Sequence, residues 1–165
     1  MKKILLITGI LCTGLLSRSQ QNKFTKAINE QVWVPFIKGF ETENDELFKS
    51  VHSKDVARVL QDDKQIIGYD IYFKKVPDSI KAQWGDWKKS IELRFTQRIA
   101  NNNNAFEVGY YKTTSTNTQT GEQRIIIGKF HVLLKKENEV WKILMDADTK
   151  EGASEETFKK ASPLQ

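Results

Sequence analysis

Apolar residues recur every four positions once the chain is past residue 20. Phe24, Ile28, Val32, Phe36 and Phe40 form one stripe, which predicts a helix over 22–42. Pro35 falls inside it. Proline lacks the donor that the carbonyl four residues back requires, so a kink or break is expected near Val34. Asn44-Asp45 can cap a short second helix that contains Leu47, Phe48 and Val51. The pattern then changes. Val56 to Leu60 reads as a strand, Asp62-Asp63 as a turn, and Gln65-Ile66-Ile67 as a return strand that ends at Gly68. Residues 69–89 suggest helix again, broken near Pro77. Strands are expected at about 91–100, 104–116, 122–135 and 139–148. Asn101 to Asn104, Thr120-Gly121 and Asn138 supply the turns between them.

The facing of two strands matters. In 91–98, Ile91, Leu93 and Phe95 share one face, while Glu92, Arg94, Thr96 and Arg98 share the other. In 124–134 both faces are apolar: Ile125, Ile127 and Leu133 on one, Ile126, Phe130, Val132 and Leu134 on the other. A strand buried on both sides needs two covers. Helices can supply one, and a second subunit is the natural candidate for the other. The expected fold is α+β, with a strongly bent antiparallel sheet wrapped around amino-terminal helices.

The first residues belong to a different pattern. Lys2 and Lys3 precede an apolar run from Ile4 to Leu16, and Ser17-Arg18-Ser19 follows. That order is the order of a secretory signal peptide cleaved near Ser19-Gln20. The apolar run is well short of the roughly 20 residues that span a bilayer. The expected organisation is a signal peptide over 1–19, one domain over 20–150 and a loose polar tail over 151–165. The mature protein is then periplasmic or extracellular, with no stable membrane anchor.

Cleavage changes the charge. Lys2, Lys3 and Arg18 leave without an acidic residue, so +5 falls to +2. The basic pI of the whole chain therefore gives no argument for nucleic acid, and no dense basic stripe marks the mature part. Cys12 is the only cysteine. It leaves with the signal, so neither a disulfide nor a cysteine-bound metal is expected. No metal-ligand spacing, Gly-rich phosphate loop or nucleophile elbow is present, and no cofactor is expected.

Several residues could carry chemistry. His131 sits mid-strand between apolar neighbours, as either a pocket acid–base group or a core imidazole with a structural partner. Asp146 and Asp148 alternate with Met145 and Ala147 near the end of the last strand. Asp146 could orient His131, or both carboxylates could face water. Arg58 and Arg94 lie inside strand patterns; an inward arginine would need a carboxylate or an acidic ligand. Arg98 and Lys129 pose the same question. Trp84, Trp87 and Tyr110 could wall a pocket or fill a core. His52, at the end of the second helix, suits a helix carboxyl terminus.

The chain resembles the nuclear transport factor 2-like superfamily, in its polyketide-cyclase-like (SnoaL-like) bacterial branch, over about residues 22–149. The resemblance rests on Val32-Trp33 and Phe36, then Asp45, Phe48, His52-Ser53-Lys54-Asp55-Val56 and Arg58-Val59. It continues with Gly68, Leu93-Arg94-Phe95, Ala105-Phe106-Glu107-Val108-Gly109-Tyr110-Tyr111, Gly128-Lys129-Phe130 and Trp141-Lys142-Ile143. It implies a cone with a pocket at its open end, commonly dimeric through the outer face of the sheet. The superfamily hosts isomerases, dehydratases, cyclases and non-catalytic modules, so fold alone does not settle function. Ketosteroid-isomerase-like chemistry uses an aspartate base and an oxyanion hole. Laid along this chain, the base falls on or near Leu60, which cannot act as one, and the oxyanion-side aspartate falls near His131. The resemblance places His131, Leu144, Asp146 and Asp148 inward.

Two readings follow. In the first, an exported pocket protein binds a small ligand or serves to dimerise. In the second, His131 and Asp146 run acid–base chemistry, an isomerisation, dehydration or cyclisation, on a small apolar substrate, with Arg58, Arg94, Tyr110 and Asp148 around the ligand. The missing base favours the first.

Overall fold

The computed structural model describes residues 9–164. The first eight residues of the expected signal peptide lie outside the described residues, as do the side chains of Cys12 and Trp84. Helix α1, Gly9–Ile28, leads without a break into a wide turn of π-helix at Asn29–Trp33, then α2, Val34–Glu41. The π turn answers the expectation about Pro35. Its ring has no N–H to offer, and the backbone N–H of Val34 reaches back five residues to the carbonyl of Asn29. The helix widens where a kink or break was expected. The Asn44 side chain accepts from the Leu47 N–H at 2.9 Å and caps α3, Asp45–Ser50.

Seven strands form one open sheet: β1 (His52–Leu60), β2 (Gln65–Ile67), β3 (Trp87–Ala100), β4 (Asn104–Asn117), β5 (Gln123–Glu137), β6 (Val140–Thr149) and β7 (Ser162–Pro163). Their spatial order is β2-β1-β6-β5-β4-β3-β7. All neighbours run antiparallel except β1 and β6, which are parallel, so the sheet is mixed. Short helices α4 (Tyr69–Tyr72) and α5 (Asp78–Lys81) precede β3. The helix expected over 69–89 therefore stops early, and β3 already begins at Trp87.

The core lies between the sheet's concave face and the helices. Trp33 from the π turn packs edge-on to Phe95 and against Phe130, each with ring centroids 5.7 Å apart. Ile28, Val32, Val56, Leu93, Trp141 and Ile143 belong to it, with Val51, Ala105, Val132 and Leu134, all buried. Beneath the π turn an ion pair packs beside it. Glu107 is 1% exposed and accepts from Arg98 Nε at 2.7 Å and from Trp33 Nε1 at 2.6 Å. Burial pushes its carboxyl up, and Arg98 works against that rise.

Two bulges in the antiparallel ladders re-aim residues on that concave face, and a third register shift lies in β1 between His52 and Ala57. Register slips between Phe95 and Gln97 in β3, and opposite Leu133 and Leu134 in β6. The first brings Arg98 to the same side as Phe95, where strict alternation puts it opposite. The second, at Leu144, lets Trp141 and Ile143 point inward and then Asp146 and Asp148 as well. A bulge re-aims side chains in this way because one strand carries an extra residue.

Residues 151–164 are more ordered than their polar composition suggests. Ser154 and Thr157 close a capping box at the start of α6, Glu155–Lys160. Phe158 is 1% exposed, covered by Arg94 and Lys112 from the convex face of the sheet. Phe158, read as part of a loose tail, anchors the segment together with buried Ala161 and with Leu164 against the core, and β7 pairs with β3.

Candidate functional site

The concave face opens into a cavity of about 350 Å³, within the range usual for small-molecule sites. Its walls come from Phe36 and Phe40 of α2, Phe48 of α3, Ile91 and Leu93 of β3, and Ile126, Phe130 and Val132 of β5. Glycine makes room for the strand-borne rings. Gly128 pairs with Tyr111, and a Cβ there would overlap the tyrosine ring. Gly109 pairs with Phe130 in the same manner, and a Cβ would lie 2.6 Å from Phe130 Cζ.

One end of this apolar space is charged. Arg58 of β1 lies opposite Asp146 of β6 in the parallel pair. Its Nη2 donates to Asp148 Oδ1 at 2.8 Å, and its Nη1 lies 3.4 Å from Asp146 Oδ1. Nη1 also donates to the Asp146 carbonyl at 3.1 Å. Tyr72 Oη donates to Asp146 Oδ2 at 2.7 Å, and Tyr111 Oη to Asp148 Oδ2 at 3.1 Å. All four carboxylate oxygens thus face a donor. The three charged side chains are only 13–23% exposed. Burial works against the Arg58 charge, but Asp146 and Asp148 outweigh it and raise its pKa. Burial, then the adjacent carboxylates, push the hydroxyls of Tyr72 and Tyr111 up, so both keep their protons at neutral pH.

His52 stands behind this cluster. It is 5% exposed and ringed by Phe36, Phe48, Tyr72 and Phe73. Its Nδ1 lies 2.8 Å from the Phe48 carbonyl, so the proton sits on Nδ1 and the buried Nε2 carries a lone pair. Burial lowers its pKa, with Arg58 and Lys142 adding to this and Asp146 and the Phe48 carbonyl opposing it. The sign follows from linkage. The unfolded chain takes up this proton near pH 6.5 and the folded chain only at lower pH, so the contribution is complete above 6.5 and is lost as pH falls through the folded value. We expect the melting temperature to fall from pH 7 to pH 5 less steeply in His52→Gln than in the wild type. Equal slopes in calorimetric scans would contradict this.

The sequence-chosen residues divide by face. Asp146, Asp148 and Arg58 converge in the cavity, as Arg58's need for a carboxylate suggests. His131, Arg94 and Tyr110 do not line it. Phe130 and Val132 point inward, so His131 between them lies on the convex face, where it stacks on Phe106 at 6.5 Å. It therefore cannot pair with Asp146, whose register partner is Val132. Arg94 bonds Glu92 at 2.8 Å and covers Phe158. Tyr110 has the wrong parity, and Tyr111 occupies the place expected of it. Tyr72 gave no signal beyond being a tyrosine in a short helix. Among the described residues, no group of three or more His, Cys, Asp and Glu side chains is placed to hold a metal ion.

No protein-family model matches the chain, and no curated protein matches it. Solved structures do. An NTF2-like protein with a cystatin-like fold from Novosphingobium aromaticivorans aligns with a TM-score of 0.64 at 9% identity, over 88% of this chain and 93% of its own. A hexachlorocyclohexane dehydrochlorinase, LinA type 2, aligns with a TM-score of 0.58 at 10% identity, over 89% and 93%. A ketosteroid isomerase-like protein from Erwinia carotovora atroseptica aligns with a TM-score of 0.56 at 12% identity, over 77% and 95%. The chain has the nuclear transport factor 2-like fold.

Proposed function

We propose that the protein is an exported module that binds a small, largely apolar molecule in the cavity between sheet and helices. The observation that carries this is the cavity itself: an apolar, aromatic-walled space with fixed polar groups at one end. The engagement of those groups favours binding over catalysis. A carboxylate base needs an oxygen free to take a proton within reach of the substrate, and here each oxygen faces an arginine or a tyrosine. The histidine expected to supply acid–base chemistry lies on the other face. Similarity to a dehydrochlorinase and an isomerase-like protein keeps an acid–base reaction as the alternative, with Asp146 or Asp148 as its base after ligand-driven release of a tyrosine.

The test is calorimetric titration with 1-naphthalenemethanol, a neutral probe of suitable shape, on the wild type and on Ile126→Trp. Ile126 lines the cavity at its half-exposed side, so the larger ring fills the space with little strain. We expect saturable binding that the substitution weakens at least tenfold, at an unchanged melting temperature. Equal binding by both would end the cavity reading.

Export and dimerisation belong to the same proposal. From Gln21 onward α1 is tied to the sheet, by the Gln21 amide at the end of β3 and by Phe24 against Trp141. Cleavage after Ser19 keeps these contacts. The mass of the protein isolated from its host should start at Gln20; an intact Met1 would contradict export. The convex face carries half-buried Phe106 and Leu133, which pair across β4 and β5, beside exposed Ile99. With α6 covering the far corner, this patch is the surface for a second copy. Light scattering should give twice the chain mass, and a monomer at high micromolar concentration would contradict it.

A further inference from the structure

We propose that the ligand is an organic cation, an amine or ammonium group on an apolar body, with its charge seated at the Asp146–Asp148 end. This rests on the cavity being a ligand site. The first argument is charge. Arg58 contributes one positive charge and the two aspartates two negative, so the buried end carries a net negative charge. His52 is neutral there. Lys150 also lines the cavity, but it is exposed, where solvent and salt screen it.

The second argument is hydrogen-bond capacity. A carboxylate offers about four acceptor sites, and a tyrosine has one proton to donate. Tyr72 and Tyr111 have each given that proton to an aspartate. The guanidinium is shared between both aspartates and the Asp146 carbonyl. What remains facing the cavity is rich in lone pairs, so a ligand that brings donors is satisfied there. One that brings a carboxylate or phosphate would meet two carboxylates and no free tyrosine proton.

The third argument is the walls. Phe36, Phe40, Phe48, Tyr72, Tyr111 and Phe130 surround the space with aromatic rings. Ring faces attract cations, and more strongly once both are out of water. Arg58 already uses this attraction, with its guanidinium carbon 5.5 Å from the Tyr72 centroid. Aromatic walls and an acidic end act in the same direction.

The experiment compares three probes of one shape on the full mature chain: 1-naphthylmethylamine, 1-naphthalenemethanol and 1-naphthoate, at pH 7 and low salt by calorimetry. We expect the amine to bind on the order of tenfold tighter than the alcohol, and the carboxylate to bind weakest. Added salt should erode the amine's advantage. Asp148→Asn should collapse the ratio of amine to alcohol affinity, while circular dichroism confirms that the variant is folded. Equal affinities, a tighter carboxylate, or an unchanged ratio in Asp148→Asn would overturn the cation assignment and leave the cavity reading intact. Failure of all three probes to bind would overturn both.

Discussion

Arg58→Ala is expected to lower the free energy of unfolding by about 3–5 kcal/mol, the usual consequence of removing one partner from a buried ion pair. Asp146 and Asp148 would lose the cation they share and sit together in an apolar, aromatic surround. Among the described residues, the hydroxyls of Tyr72 and Tyr111 would remain as donors. The loss should therefore depend on the two carboxylates. Arg58→Ala combined with Asp146→Asn and Asp148→Asn should recover part of the stability, because no unpaired buried charge is left. Urea titrations of the wild type, Arg58→Ala, the double variant Asp146→Asn/Asp148→Asn and the triple variant measure this. A loss below about 1 kcal/mol in the single variant would mean that the cluster is solvated as a surface pair is. If Arg58→Ala is too unstable to purify, the double and triple variants still report what Arg58 contributes once both carboxylates are neutral.

Glu107→Ala is expected to cost a similar amount, about 3–5 kcal/mol, for the same reason in a different place. Among the described residues, Arg98 would be left under the π turn with the Asn29 side chain as a hydrogen-bond partner at 2.6 Å, and Trp33 Nε1 would lose its acceptor. Glu107→Gln separates the two contributions. The amide oxygen can still accept one of these bonds, so this variant should lose less than the alanine. Because burial raises the pKa of Glu107, its contribution is greatest at pH below the ordinary glutamate range and declines as pH rises through the folded value. The gap in stability between the wild type and Glu107→Gln should shift in the wild type's favour as pH falls toward 4. An alanine variant as stable as the glutamine variant would contradict the proposed role of these bonds.

The order of elements was legible in the chain, and so was half of the cluster. Turn residues at Asn101–Asn104, Thr120-Gly121 and Asn138 placed the four long strands to within a few residues. Pro35 marked the irregular point in the first helix. Arg58 needed a carboxylate, and Asp146 and Asp148 were the aspartates near a strand end. What alternation could not supply was facing. Strand side chains alternate with period two, so a single extra residue reverses every later assignment. The bulge at Leu144 turns Asp146 and Asp148 to the side of Trp141, and the bulge near Thr96 turns Arg98 to the side of Phe95. Neither carries a glycine that would announce it. His131 and Tyr110 were misplaced by the same one-step ambiguity.

Other features depended on partners distant in sequence. Tyr72 reaches Asp146 across 74 positions, and only the folded chain brings them together. Phe158 and Leu164 are widely spaced apolar residues in a tail that is otherwise mostly polar. The capping box around Ser154 and Thr157 was the available local signal, and it explains why that segment folds back on the sheet.

The most direct test of a ligand cavity is an NMR measurement of intermolecular proton contacts. The labelled mature protein is saturated with 1-naphthylmethylamine, and its aromatic and methyl protons are followed. Contacts from the naphthalene ring to Phe130, Ile126 and Tyr111, with the aminomethyl protons nearest Tyr111 and Tyr72, are expected. Contacts to Phe106 and Leu133 on the convex face, or none that saturate, would contradict it.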